Sequence, residues 1–161
     1  MDDGSITMIA ALAVLVALSA CFSASETAFS SLNQIRVKSR AEDGDPSAKR
    51  VLAMSQQYDK LLSTILIGNN IVNIASASLG TLLFTAHFGP EYGATLSTIV
   101  MTVVVLIFGE ITPKSLAKEV PERLASAVAP ALQLLMTVLT PLNWLVAQWE
   151  KLVGRGFHRG A

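Results

Sequence analysis

Of 161 residues, 52% are apolar and 15% charged, and the mean hydropathy is +0.51, which excludes an ordinary soluble domain of this size and implies a membrane protein. One cysteine, Cys21, rules out a disulfide framework, and two histidines far apart, His87 and His158, disfavour zinc, haem and di-iron centres. Twelve basic residues balance twelve acidic ones without aromatic interleaving, so nucleic acid is not an expected partner.

The N-terminus carries Asp2 and Asp3 rather than a basic n-region, and no cleavable signal peptide is read there. Ile6 to Phe22 is almost wholly apolar, and with Ser23 to Leu32 it makes a first span over about 6–32. Its second half holds a stripe at helical spacing: Ser19, Ser23, Glu26 and Ser30. Ser25 falls off that stripe. Small hydroxyl residues can serve close helix packing alone, but Glu26 does not fit that reading and points to a polar site.

Residues 33–60 are polar and rich in both charges. Asp43-Gly44-Asp45-Pro46 predicts a turn with Asp45 as N-cap and Pro46 in the first turn of a helix over about 46–57. That helix is expected to be interfacial, with Val51, Leu52 and Met54 towards the bilayer. The second span, 61–84, is uncharged. At 100° per residue, Ser76, Asn69, Gly80, Asn73, Ala77 and Asn70 share an arc of roughly 120°. Such a face either bonds to a neighbouring helix or walls a polar site opposite the serine-rich one.

After a turn at His87 to Tyr92, a third span runs over about 94–112 and ends in Phe108-Gly109-Glu110-Ile111-Thr112-Pro113-Lys114. Pro113 has no N–H, so the Gly109 carbonyl loses its helical donor. A carboxylate and a freed carbonyl then lie side by side, with no side chain on Gly109 to hinder approach. Such oxygens suit a hard cation such as Mg²⁺, Ca²⁺ or Na⁺; the other reading is a plain helix end. The stretch 124–149 is long enough to span, but Pro130 and Pro141 interrupt it.

Charge distribution chooses between three spans and four. Six Lys and Arg lie in 36–60 and six in 114–159, with none before the first span or between the second and third. Three spans put both basic regions in the cytoplasm and the N-terminus outside. The expected fold is therefore an all-α membrane protein: three transmembrane helices plus cytoplasmic juxtamembrane helices, of which 46–57 and a bent 124–149 lie at the interface, with Trp144 and Trp149 at headgroup level.

Three segments now stand in order on the three spans: Ser23-Ala24-Ser25-Glu26-Thr27-Ala28, Gly68-Asn69-Asn70-Ile71-Val72-Asn73 and Gly109-Glu110-Ile111-Thr112-Pro113-Lys114. Together they resemble the signature segments of the CorC/CNNM (cyclin-M) magnesium transporters. The resemblance implies a homodimeric multi-pass protein of the plasma (inner) membrane that exports Mg²⁺, with Na⁺ as the coupling ion. It also implies a cation site built from Ser23, Ser25, Asn70, the Gly109 carbonyl and Glu110, with Glu26, Asn69 and Asn73 as supporting groups or a Na⁺ site. Family members normally continue into a cytoplasmic CBS-domain pair; this sequence stops at Ala161, so nucleotide-dependent control is not carried over. A Mg²⁺-binding sensor that regulates another transporter is the alternative. An intramembrane enzyme is disfavoured, because no Asp pair, serine–histidine pair or HExxH motif is present. If Ser23 and Ser25 both bind one ion, the first helix must bulge between Phe22 and Glu26, since on a regular helix they point about 160° apart.

Overall fold

In the computed structural model, which describes the backbone of residues 3–159 and the side chains of 3–157, every regular element is helical. Ala161 and the His158 side chain fall outside that description. In chain order the helices are α1 (Asp3–Ser30), α2 (Gln34–Glu42), α3 (Pro46–Ser55), α4 (Tyr58–Phe88), α5 (Gly93–Val104), a π-helix (Val105–Ile111), α6 (Thr112–Glu119), α7 (Pro121–Val138) and α8 (Thr140–Arg159).

Three helical stretches are long and apolar enough to cross a membrane: α1, α4 and the continuous run Gly93–Glu119. The second and third exceed their expected limits because charged end residues extend a helix without entering hydrocarbon. Helix α1 is the centre of the bundle, packed against α4, the π-helix, α6 and α7. Near its start, Ser5 Oγ and His87 Nε2 are 3.4 Å apart, joining it to the far end of α4.

The polar linker is more ordered than its composition implies. Asn33 caps α2, accepting from the Arg36 N–H at 3.1 Å. Asp45 caps α3 as expected, accepting from Ser47 and Ala48 N–H, with Pro46 at the first position. Arg40 joins these helices to α7, bonding Asp45 at 2.6 Å and Glu122 at 3.3 Å. The Asp45 bond raises the Arg40 pKa and lowers that of Asp45.

Two expectations about surfaces are corrected. Val51 and Met54 of α3 do not face the bilayer. They are buried in a core with Phe29, Leu61, Ile65, Ala125 and Leu132, and Leu52 packs against that core half-buried. An amphipathic helix beside both a bundle and a membrane can bury its apolar face against either, and here the bundle wins. Pro130 does not interrupt α7. It lies on the exposed side, opposite the stripe Ala125, Ala129, Leu132 and Met136 that packs on the core. The bend of the C-terminal segment comes at Leu139, where α7 and α8 meet at 72°.

Candidate functional site

Three of the predicted residues, Asn69, Asn73 and Gly109, meet where α1, α4 and the π-helix come together, and the hub is Ser19. Its hydroxyl donates to Asn73 Oδ1 at 2.7 Å and lies 3.2 Å from Asn69 Oδ1. From the third span, Gly109 packs on the same residue: a Cβ added there would sit 3.1 Å from Ser19 Oγ. Sequence reasoning placed Ser19 on the α1 stripe but omitted it from the ligand set. The signal available was its position one turn before Ser23.

Gly68, which opens the α4 motif, has a packing role. A Cβ there would come within 2.5 Å of the Phe22 ring, against ordinary carbon–carbon contacts of about 3.5–4.0 Å. The glycine lets the tip of the ring press against the α4 backbone, which sets the spacing of α1 and α4 beside the seam.

The third span is irregular where Pro113 predicts it. Residues 105–111 form a π-helix, and the Thr112 N–H bonds back five residues to the Ile107 carbonyl. Pro113 cannot donate to the Gly109 carbonyl and its ring crowds that oxygen, so the helix widens rather than stopping. Glu110 sits in this widened turn, half-buried.

The first span does not break. α1 is regular from Asp3 to Ser30, and the bulge expected between Phe22 and Glu26 is absent. Serine hydroxyls can satisfy themselves on the preceding turn without disturbing the helix, and Ser25 Oγ does so, donating to the Cys21 carbonyl at 2.6 Å. Ser23 does not. It is 1% exposed and its hydroxyl has no partner among the described residues. Of the two serines, Ser23 is therefore the one whose hydroxyl proton is uncommitted among the described residues, while Ser25 Oγ, having donated its proton, keeps its lone pairs.

The amide arc of α4 is only partly turned inward. Asn69 and Asn73 are half-buried against Ser19, whereas Asn70, at the arc's edge, is exposed. Glu26 is half-buried on α1. The structure thus brings Ser19, Asn69, Asn73 and Gly109 into direct contact and leaves Asn70 outside that cluster. Among the described residues there is no cluster of three His, Cys, Asp or Glu side chains that could hold a metal. A cation here would be held by neutral oxygens with one or two carboxylates, the ligand type of hard ions.

A helical bundle with three membrane-length helices and a polar seam through its centre defines a multi-pass membrane protein with an intramembrane polar site. Residues 9–159 match the sequence model of the Cyclin M transmembrane N-terminal domain, and the chain belongs to that family. It is 41% identical over 129 residues to the UPF0053 inner membrane protein YfjD of Escherichia coli K12, covering 80% of this chain and 30% of the relative. It is 36% identical over 145 residues to a UPF0053 protein of Haemophilus influenzae, covering 90% and 34%. At 27% identity over 155 residues it is also similar to the polyamine export protein of Escherichia coli K12, covering 89% and 35%. The chain spans about a third of the length of these relatives.

Proposed function

We propose that this chain is the membrane part of a Mg²⁺ transporter, with the ion held at the seam of α1, α4 and the π-helix. The observation that carries the reading is the Ser23 hydroxyl, buried and unpartnered on the same stripe as Ser19. A buried hydroxyl without a partner costs roughly 1–3 kcal/mol, and a ligand oxygen is such a group before its ion arrives. Ser23, the Gly109 carbonyl and Glu110 form the working ligand set, and Asn69 and Asn73 hold Ser19 in place. Ser25 and Asn70 join only if α1 and α4 change their rotation. One carboxylate among neutral oxygens compensates Mg²⁺ incompletely, which suits a carrier that must let go of its cargo.

In this reading the protein is a homodimer that exports Mg²⁺ against Na⁺ entry, with its N-terminus outside and its C-terminus cytoplasmic. The π-helix supplies the moving part. Returning it to α geometry would shift the register by one residue and rotate Glu110 by about 100° relative to α6.

The relative named a polyamine export protein motivates a second reading, in which the cargo is an organic polycation. Both readings are tested in one assay, with the purified chain in liposomes and Mg²⁺ or spermidine trapped inside. Mg²⁺ efflux that starts when Na⁺ is imposed outside supports the first. Spermidine efflux without Mg²⁺ efflux supports the second. Saturable Mg²⁺ binding with no flux of either ion refutes both and leaves a membrane Mg²⁺ sensor.

A further inference from the structure

Away from the seam, a pocket of about 400 Å³ lies between the first turns of α4 and one face of α8, walled by Asp59, Lys60, Ser63, Asn143, Trp144 and Glu150 among others. Its chemistry is fixed by one proton. Thr64 Oγ1 donates its only hydrogen to the Lys60 carbonyl at 2.8 Å, so towards Asn143, 2.9 Å away, it can only accept. The group facing Thr64 is therefore the Asn143 NH₂, and the other end of that amide is a carbonyl. This Oδ1 is buried without a partner among the described residues, on a residue 8% exposed. Ser63 Oγ, in the same pocket wall, is buried and has no partner among the described residues either.

An unpaired acceptor calls for a donor, and the charges around it say which kind. Asp59 and Glu150 bring two carboxylates to the pocket, and neither is in a salt bridge among the described residues. The volume is too large for a bare metal ion. The wall also carries the apolar side chains of Trp144, Val146 and Ala147, which suits an organic cation on an aromatic face. Lys60 adds one positive charge, free of salt bridges among the described residues, for an anionic group nearby.

Position supplies the source. Asp59 and Lys60 are the last charges of α4 before its uncharged run from Leu61 to Phe84, so the pocket is at the edge of hydrocarbon. Beside it, α8 presents Leu142, Leu145, Trp149 and Leu152 as an exposed apolar stripe. We propose that this pocket binds a primary ammonium group, presented by the phosphoethanolamine headgroup of a membrane lipid. The ammonium sits among Asn143 Oδ1, Asp59 and Glu150, the phosphate meets Lys60, and the acyl chains follow the α8 stripe. Choline, with no N–H, cannot satisfy Asn143.

Trp149→Phe leaves Trp144 as the single tryptophan reporter. The full chain in phosphatidylcholine vesicles is titrated with phosphatidylethanolamine brominated on its chains, and separately with phosphatidylcholine brominated in the same way. Trp144 is expected to be quenched at about tenfold lower fractions of the ethanolamine lipid, the lower end for one charge-assisted hydrogen bond. The exposed change Glu150→Gln and the buried change Asn143→Leu should each bring the ratio close to one. Because Glu150 is on the surface, its variant reads the pocket even if Asn143→Leu folds poorly. Ethylammonium chloride added to pure phosphatidylcholine vesicles forms the second arm. A saturable Trp144 response there, lost in Glu150→Gln and without any lipid preference, would overturn the headgroup in favour of a soluble alkylammonium. Equal quenching by both lipids with no ethylammonium response would overturn the pocket altogether.

Discussion

Replacing Ser23 by Ala tests the site in a way that separates a ligand from a structural residue, because the two roles predict opposite signs. The Ser23 hydroxyl is buried without a partner among the described residues, and with no ion bound it is expected to stay unsatisfied. Removing it deletes a desolvated polar group and one small atom, so Ser23→Ala should stabilise that state by about 1 kcal/mol, within the ~1–3 kcal/mol carried by an unsatisfied group. For a chain of this length that is roughly 2–4 °C in Tm. Saturating Mg²⁺ should reverse the order. A ligand present at 100 times its Kd adds about 2.7 kcal/mol to the parent, and a variant that binds tenfold more weakly gains about 1.4 kcal/mol less.

The assay is thermal unfolding of both proteins in the same detergent or nanodisc, with EDTA and then with Mg²⁺. The expected pattern is a variant more stable than the parent in EDTA and less shifted by Mg²⁺. Ser25→Ala is the control. Its hydroxyl is engaged with the Cys21 carbonyl, so that change should be close to neutral in EDTA and alter the Mg²⁺ shift less. A Ser23→Ala protein destabilised in EDTA would mean that the hydroxyl has a partner after all. A variant with the parent's full Mg²⁺ shift would remove Ser23 from the ligand set.

Glu110→Gln keeps the shape but removes the carboxylate, and calorimetry should show Mg²⁺ binding weakened more than tenfold; parent-like binding would pass the role to Glu26. Pro113→Ala restores a donor for the Gly109 carbonyl, so the π-helix should relax towards α geometry, with the new amide at position 113 protected from exchange, stability raised by up to ~3 kcal/mol and slower transport. Parent-like flux in a fully regular third span would refute the moving-part reading. Asp45 has a lowered pKa in the folded state, so its contribution is present above the ordinary value of 3.8 and is lost as pH falls through the depressed one. The stability gap between parent and Asp45→Asn should therefore close at acid pH, as measured by denaturation over a pH series. In a Cys21-free background, an impermeant thiol reagent added outside should label a cysteine at position 89 and not one at position 151; the reverse would overturn the proposed orientation.

The three spans were legible because hydrocarbon thickness demands long apolar runs, which need no tertiary context to recognise. The π-helix was foreshadowed by covalent chemistry, since Pro113 cannot donate to Gly109 in any fold. What the sequence left open were rotations. Asn69, Asn73 and Asn70 spread over about 100° of the helix, so Asn69 and Asn73 face Ser19 while Asn70 does not. Val51 and Met54 likewise presented an apolar face without saying whether lipid or protein would cover it. The unbroken α1 has the simplest reason. A bulge was needed only if two serines shared one ion, and Ser25 has a carbonyl of its own helix within reach. Helix α2 was missed because its stability comes from the Asn33 cap and burial of Val37 and Ala41 rather than from an apolar period.

These rotations bear on how a site could both bind and release. The seam joins a rigid wall to a yielding one. On the rigid side, α1 is regular throughout, and Phe22 lies so close over Gly68 that α1 and α4 have little freedom to slide. On the yielding side, the π-helix holds Gly109 against Ser19 across a gap that a single Cβ would close. A π turn is an inserted residue that can migrate or anneal without unfolding the helix. Movement is therefore cheapest on the third span, the one that carries Glu110. If the ion's main charge partner sits on the mobile wall and its neutral partners on the fixed one, withdrawing Glu110 removes most of the binding energy in one step. The polar groups of α1 and α4 stay bonded to one another through Ser19 while that happens.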